Sequence, residues 1–110
     1  MKLMSLYDEV KPFLLARIAE AQELLGAEHD LTLNFRATYG YCLYNGAGHK
    51  HDDGTITIFK WGDVAEAASV LEDVDRRVRR IFGDGHPDWI NVPQNLAVAR
   101  HALLTKPRVS

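Results

Sequence analysis

The 110-residue chain has one cysteine, four prolines and eight glycines. It also lacks any apolar run near the ~20 residues that cross a bilayer. A lone Cys42 excludes an internal disulfide framework and makes the reducing cytoplasm the expected compartment. So few glycines and prolines exclude collagen-like and low-complexity chains. Charge of one sign is not in excess: 13 Lys+Arg stand against 15 Asp+Glu, a formal net charge of −2. That balance carries no electrostatic footprint for nucleic acid or for an anionic membrane. Asp8 and Glu9 interrupt the N-terminus before a signal-peptide core can build up. Phosphate-binding and nucleophile motifs are missing too. Gly46-Ala47-Gly48 has no following G-K-[ST], and no G-x-G-x-x-G, G-x-S-x-G, C-x-x-C or H-E-x-x-H occurs.

What is there is 46% hydrophobic residues, enough for one globular domain over residues 1–110 with a modest core. Leu3, Tyr7, Val10, Leu14, Ile18, Ala21 and Leu25 recur at three- and four-residue steps and predict a first helix. Pro12 belongs in its first turn if Asp8 is the N-cap, or marks a kink if Ser5 is. Gly26 suits a left-handed stop. The period then changes. Leu31, Leu33, Phe35, Ala37, Tyr39, Tyr41 and Leu43 alternate with Thr32, Asn34, Arg36, Thr38, Gly40 and Cys42, the pattern of a strand over 31–44. A strand that long spans roughly 46 Å, so it must bend or break, with Gly40 as the natural place. Residues 45–54 read as a loop and Thr55–Trp61 as a second strand, together an antiparallel hairpin.

Asp63 with Glu66 three residues later resembles a capping box opening a helix to Phe82, closed by Gly83. Trp89–Val92 reads as a short edge strand or an irregular segment. Pro93 opens a last helix over 94–104, and 105–110 form a frayed tail. The expected fold is therefore α+β. A small antiparallel sheet of two long strands, with a third short or bent one where Trp89–Val92 pairs, carries two to three helices on one face.

Three groups of residues bear chemistry. His49, His51 and Asp53 combine imidazole and carboxylate, a donor set that suits a divalent transition metal, or else decorate a solvated loop. His86 beside Asp88 could act as a general base, or complete that metal site if the two loops meet; as a turn it needs neither role. Arg76, Arg77, Arg79 and Arg80 resemble a phosphate-binding patch. However, Glu72–Arg76, Asp73–Arg77 and Asp75–Arg79 are spaced to pair along one helix, which makes nucleic acid an unfavoured partner. Cys42 within its apolar pattern reads as a small core residue.

Aromatic residues are the remaining surplus. Tyr39, Tyr41, Tyr44 and Trp61 either pair across strands or line a cleft, with Arg36 and His86 adding polar contacts, and these six residues form the expected binding set. The unpaired edge of a long strand asks for a neighbour, so self-association as a homodimer is expected. The function expected is a small, non-enzymatic binding or interaction protein acting on a protein or small-molecule ligand, with no membrane partner and no cofactor. The alternatives are a metal-binding protein or enzyme using His49, His51 and His86, and nucleic-acid binding through 76–80.

Overall fold

Val64, Ala67, Ala68, Leu71, Val74 and Val78 are all buried, and their three- and four-residue steps form one face of a single long helix. The computed structural model describes residues 6–106, with side chains from Glu9 onward. In chain order it contains α1 (Leu6–Leu25), α2 (Asp30–Gly46), β1 (Gly48–Lys50), β2 (Ile56–Ile58), α3 (Trp61–Phe82) and α4 (Asn91–Leu104). One 3-10 turn, Pro87–Trp89, precedes α4. The expectations at Leu3, at Ser5 and over 107–110 lie outside the described residues, as do those for the side chains of Leu6, Tyr7 and Asp8. No helix among the described residues is long and apolar enough to cross a membrane.

The fold is mostly helical, which corrects the α+β expectation. Residues 31–44, read as a long strand, lie within α2. Thr32, Tyr39, Cys42 and Leu43 are buried, and the last three pack with Leu14 and Ile18 of α1 and Ala67 of α3. Leu33 joins Leu71, Val74, Val92 and Leu96 on another side, with Ala37 and Tyr44 packed against that cluster. A helix enclosed by α1, α3 and α4 is apolar on several sides, so its amphipathic signature fades. The alternation of residues was incidental. Gly40 marks no bulge. It lets α2 approach α3, since a Cβ there would sit 2.8 Å from Cγ of the buried Leu71.

A hairpin exists, but its first strand comes from residues assigned to the loop, and only its second, Ile56–Ile58, lies within the expected strand Thr55–Trp61. Gly48, His49 and Lys50 pair antiparallel with Ile58, Thr57 and Ile56. The turn is tight, with His51 N–H donating to the Thr55 carbonyl at 2.7 Å and Gly54 at φ +90°. Gly48 is forced by proximity, because a Cβ would come within 2.6 Å of the Thr57 carbonyl oxygen. With three residues per strand, the long unpaired edge that motivated a homodimer is not present among the described residues. Trp89–Val92 forms no edge strand either; it spans the end of the 3-10 turn and the start of α4.

Helix ends follow local chemistry. Gly26 adopts φ +94° and its N–H returns to the Gln22 carbonyl, while Gly83 at φ +88° does the same toward Arg79. His29 caps α2, its Nδ1 accepting from the Leu31 N–H at 3.1 Å. Asp63 does not cap α3, because the helix begins earlier, at Trp61. It sits in the first turn, where a negative charge suits the helix dipole, and pairs with Lys11 of α1 at 3.0 Å. Thr105, read as the start of a frayed tail, closes α4 through its N–H and hydroxyl, both donating to the His101 carbonyl.

Candidate functional site

Polar contacts between the helices consume several of the residues that the sequence marked as binders. Arg36 donates to Asp73 Oδ2 of α3 at 2.6 Å, and Arg77 reaches the same oxygen at 2.9 Å. Burial of the Asp73 carboxyl works against its charge, but these two guanidinium groups outweigh it and hold the carboxyl below the usual range. Tyr39 is buried and its hydroxyl donates to Glu66 Oε2 at 2.5 Å. Burial first, then the bond and charge of Glu66 and the charge of Asp63, push the phenol up to about 12. Arg36 and Tyr39 therefore fasten α2 to α3, and neither lines the main groove. Cys42 is buried, which raises its thiol and keeps it from nucleophilic use.

The main concavity is a groove of about 720 Å³ where β2, the start of α3 and one face of α4 meet. Local structure explains its walls. The Ala47 carbonyl accepts from both Phe59 and Lys60 N–H at 3.0 Å, which turns the chain out of β2 so that Trp61 begins α3. Ala47, Val64 and Ala102 form a buried floor, with Tyr44, Ile58, Trp61 and Leu103 packed around it. Along α4, Ala97, Val98, His101, Ala102 and Thr105 share one face, while Val92, Leu96 and Ala99 are buried in the core. Ile56 is 51% exposed and Val98 48%, so half of the groove's largest aliphatic surface faces solvent.

Polar groups are sparse in this groove. Thr57 is bonded to His51, and Thr105 returns to the α4 backbone. Tyr44 and His101 line the groove, and neither the Tyr44 hydroxyl nor the His101 imidazole has a hydrogen-bond partner among the described residues. No carboxylate is among the ten lining residues. The Lys106 ammonium stands 5.5 Å over the Trp61 ring. Apolar walls with a few free donors are the usual make-up of a small-ligand site.

Of the six expected binding residues, the structure brings two into this groove, Tyr44 and Trp61. Tyr41 lines a separate, more polar cleft of about 440 Å³ between α2 and α4, with Asn34, Asn91, Asn95 and Asp88. His86 caps the 3-10 turn, its Nδ1 accepting from the Asp88 N–H at 3.2 Å, and packs on Phe82, which in turn stacks on Trp89.

His49 and His51 stand with ring centroids 4.9 Å apart on the hairpin. His51 is bonded to Thr57 at 2.7 Å, and Asp53 is engaged by the Thr55 hydroxyl and N–H, which lower its pKa. The two histidine loops do not converge: 22-residue α3 separates them, about 33 Å of helix. No group of three or more His, Cys, Asp or Glu able to hold a metal occurs among the described residues.

The arginine run is paired throughout. Arg76 bonds Asp73, Arg77 bonds Asp73 and Glu28, Arg79 bonds Asp75 and Asp84, and Arg80 pairs with Glu28. Glu72, expected opposite Arg76, instead reaches Arg100 of α4 at 3.2 Å.

Ile56, Val98, His101 and Lys106 escaped the sequence reading. For Val98 and His101 the signal was a second periodic face on the last helix, 97, 98, 101, 102 and 105, beside the core face at 92, 96 and 99. Compared with known proteins, the chain matches no family model, no curated protein and no solved structure.

Proposed function

We propose that this is a non-catalytic binding protein that takes a small apolar ligand in the groove between β2, Trp61 and α4. One observation carries the reading: exposed aliphatic walls at Ile56 and Val98 surround two unpartnered polar tips, Tyr44 and His101. A folded surface gains by covering apolar area of this kind, and the polar tips orient what covers it. One chain completes the groove, so the reading requires no second copy. The competing expectations have less to stand on. Ion pairs occupy the 76–80 arginines, and the hairpin brings together two imidazoles with Asp53 turned to Thr55.

The test is titration with N-phenyl-1-naphthylamine, a neutral apolar dye that brightens on leaving water. Saturable brightening at one dye per chain is expected, and Val98→Asp should abolish it while leaving the circular dichroism spectrum intact. Brightening that does not saturate, or that Val98→Asp leaves unchanged, would overturn the reading.

A further inference from the structure

We infer that the ligand of this groove is an aromatic carboxylate, with its ring against Trp61 and the aliphatic wall and its carboxylate held at the rim by Tyr44, His101 and Lys106. This inference rests on the groove reading above and adds the ligand's charge and shape.

Charge is the first argument. The lining holds no carboxylate, its one ionisable nitrogen base is His101, and the nearest charge placed over a lining ring is the Lys106 ammonium. Acidic side chains are frequent in this chain, 15 in all, yet those described in ion pairs are engaged elsewhere, across helix seams as Asp63 and Asp73 are with Lys11 and Arg36, or along one helix as Glu20 and Asp75 are with Arg17 and Arg79. An anion entering the groove therefore meets donors and a cation without a competing carboxylate. A cationic ligand would find no counter-charge among the lining residues.

Hydrogen bonding agrees. The Tyr44 hydroxyl and the His101 ring can each donate, and neither is used within the protein among the described residues. A carboxylate accepts several such bonds, and bonds to an ionised acceptor are shorter and roughly twice as strong as neutral ones. Shape favours an aromatic body over a flexible chain. Trp61 and Tyr44 offer flat surfaces, and Ile58 and Ala102 close the floor between them. A groove of about 720 Å³ is ample for a two-ring compound.

The experiment is displacement of bound N-phenyl-1-naphthylamine by 2-naphthoate and, separately, by 2-naphthamide, which has the same rings and no charge. In the wild-type protein, 2-naphthoate should displace the dye at about tenfold lower concentration than the amide. In the double variant His101→Gln, Lys106→Gln, both changes being at exposed positions, the two competitors should become equal. Equal competition in the wild type, or an advantage for the acid that survives the double variant, would overturn the inference. Dye binding with no competition from either compound would overturn it as well and leave the groove reading standing. If the dye itself fails to bind, the groove reading falls first.

Discussion

The α2–α3 seam and the groove beside α4 use similar materials, tyrosines and small apolar side chains with a few polar tips, yet their polar groups fare differently. At the seam, Tyr39 finds Glu66, Arg36 finds Asp73, and Gly40 admits the buried Leu71. In the groove, Tyr44 and His101 find no partner among the described residues, and Val98 and Ile56 stay half exposed. A polar group that folding has already satisfied contributes to stability, whereas one left free at a concave surface is available to a ligand. The contrast separates residues that hold the fold from residues that can recognise something.

Substitutions at the two regions should therefore separate stability from binding. The largest effect is expected at the seam. Leu71→Ala removes a side chain that fills the space over Gly40 and should cost about 2–5 kcal/mol in urea unfolding; a loss below about 1 kcal/mol would mean the seam is loosely packed.

Asp73→Ala should cost about 1–3 kcal/mol, because it strands Arg36, whose side chain is 17% exposed, beside a lost counter-ion. The Asp73 carboxyl is held below its ordinary value of 3.8. Its contribution is present above that pH and is lost as pH falls through the lowered value. Acid unfolding of Asp73→Asn should lack that component, and an unchanged acid profile would count against the pair.

Tyr39→Phe should lose about 1–2 kcal/mol through the missing bond to Glu66. The sign at high pH is opposite to that of Asp73. Tyr39 is raised from 10.0 to about 12, so its stabilisation is full below pH 10 and declines as pH rises toward 12. In the phenylalanine variant that decline should be absent from alkaline unfolding curves.

A smaller change of opposite direction is expected at Thr32, whose hydroxyl is fully buried without a partner among the described residues. Thr32→Val should raise the unfolding free energy by up to about 1 kcal/mol, measured by the same urea titration. Last comes the groove. Val98→Asp should change stability by less than about 0.5 kcal/mol while removing dye binding. A large loss of stability there would erase the distinction between seam and groove.

How much of this was legible depended on how many neighbours each helix has. α3 reads cleanly because its buried residues keep strict helical steps and its outer face is charged. α2 reads as a strand because it is enclosed on several sides and rich in Leu, Thr, Phe and Tyr, which suit strands as well. A contrary signal was present in the same residues. Leu33, Arg36, Ala37, Gly40, Tyr44 and Ala47 also step by three and four, and a 14-residue strand of roughly 46 Å exceeds the longest extent of the molecule, 42 Å. Two site residues, Tyr44 and Trp61, could be named from aromatic content. His101 and Val98 could not, because a helix's second face acquires meaning only once its first face is known to be buried.

The sequence by itself determined the strongly amphipathic helix, the glycine stops at Gly26 and Gly83 and the Asp73–Arg77 and Asp75–Arg79 pairs, because each depends on neighbours within about one helical turn. Tertiary structure decided between the strand and helix patterns that 31–44 both carry, and it reduced the hairpin to three residues a side. It also decided which tyrosine is spent on Glu66 and which stays open in a groove. These outcomes turn on burial against distant segments, and burial is a property of the packed chain that no local spacing encodes.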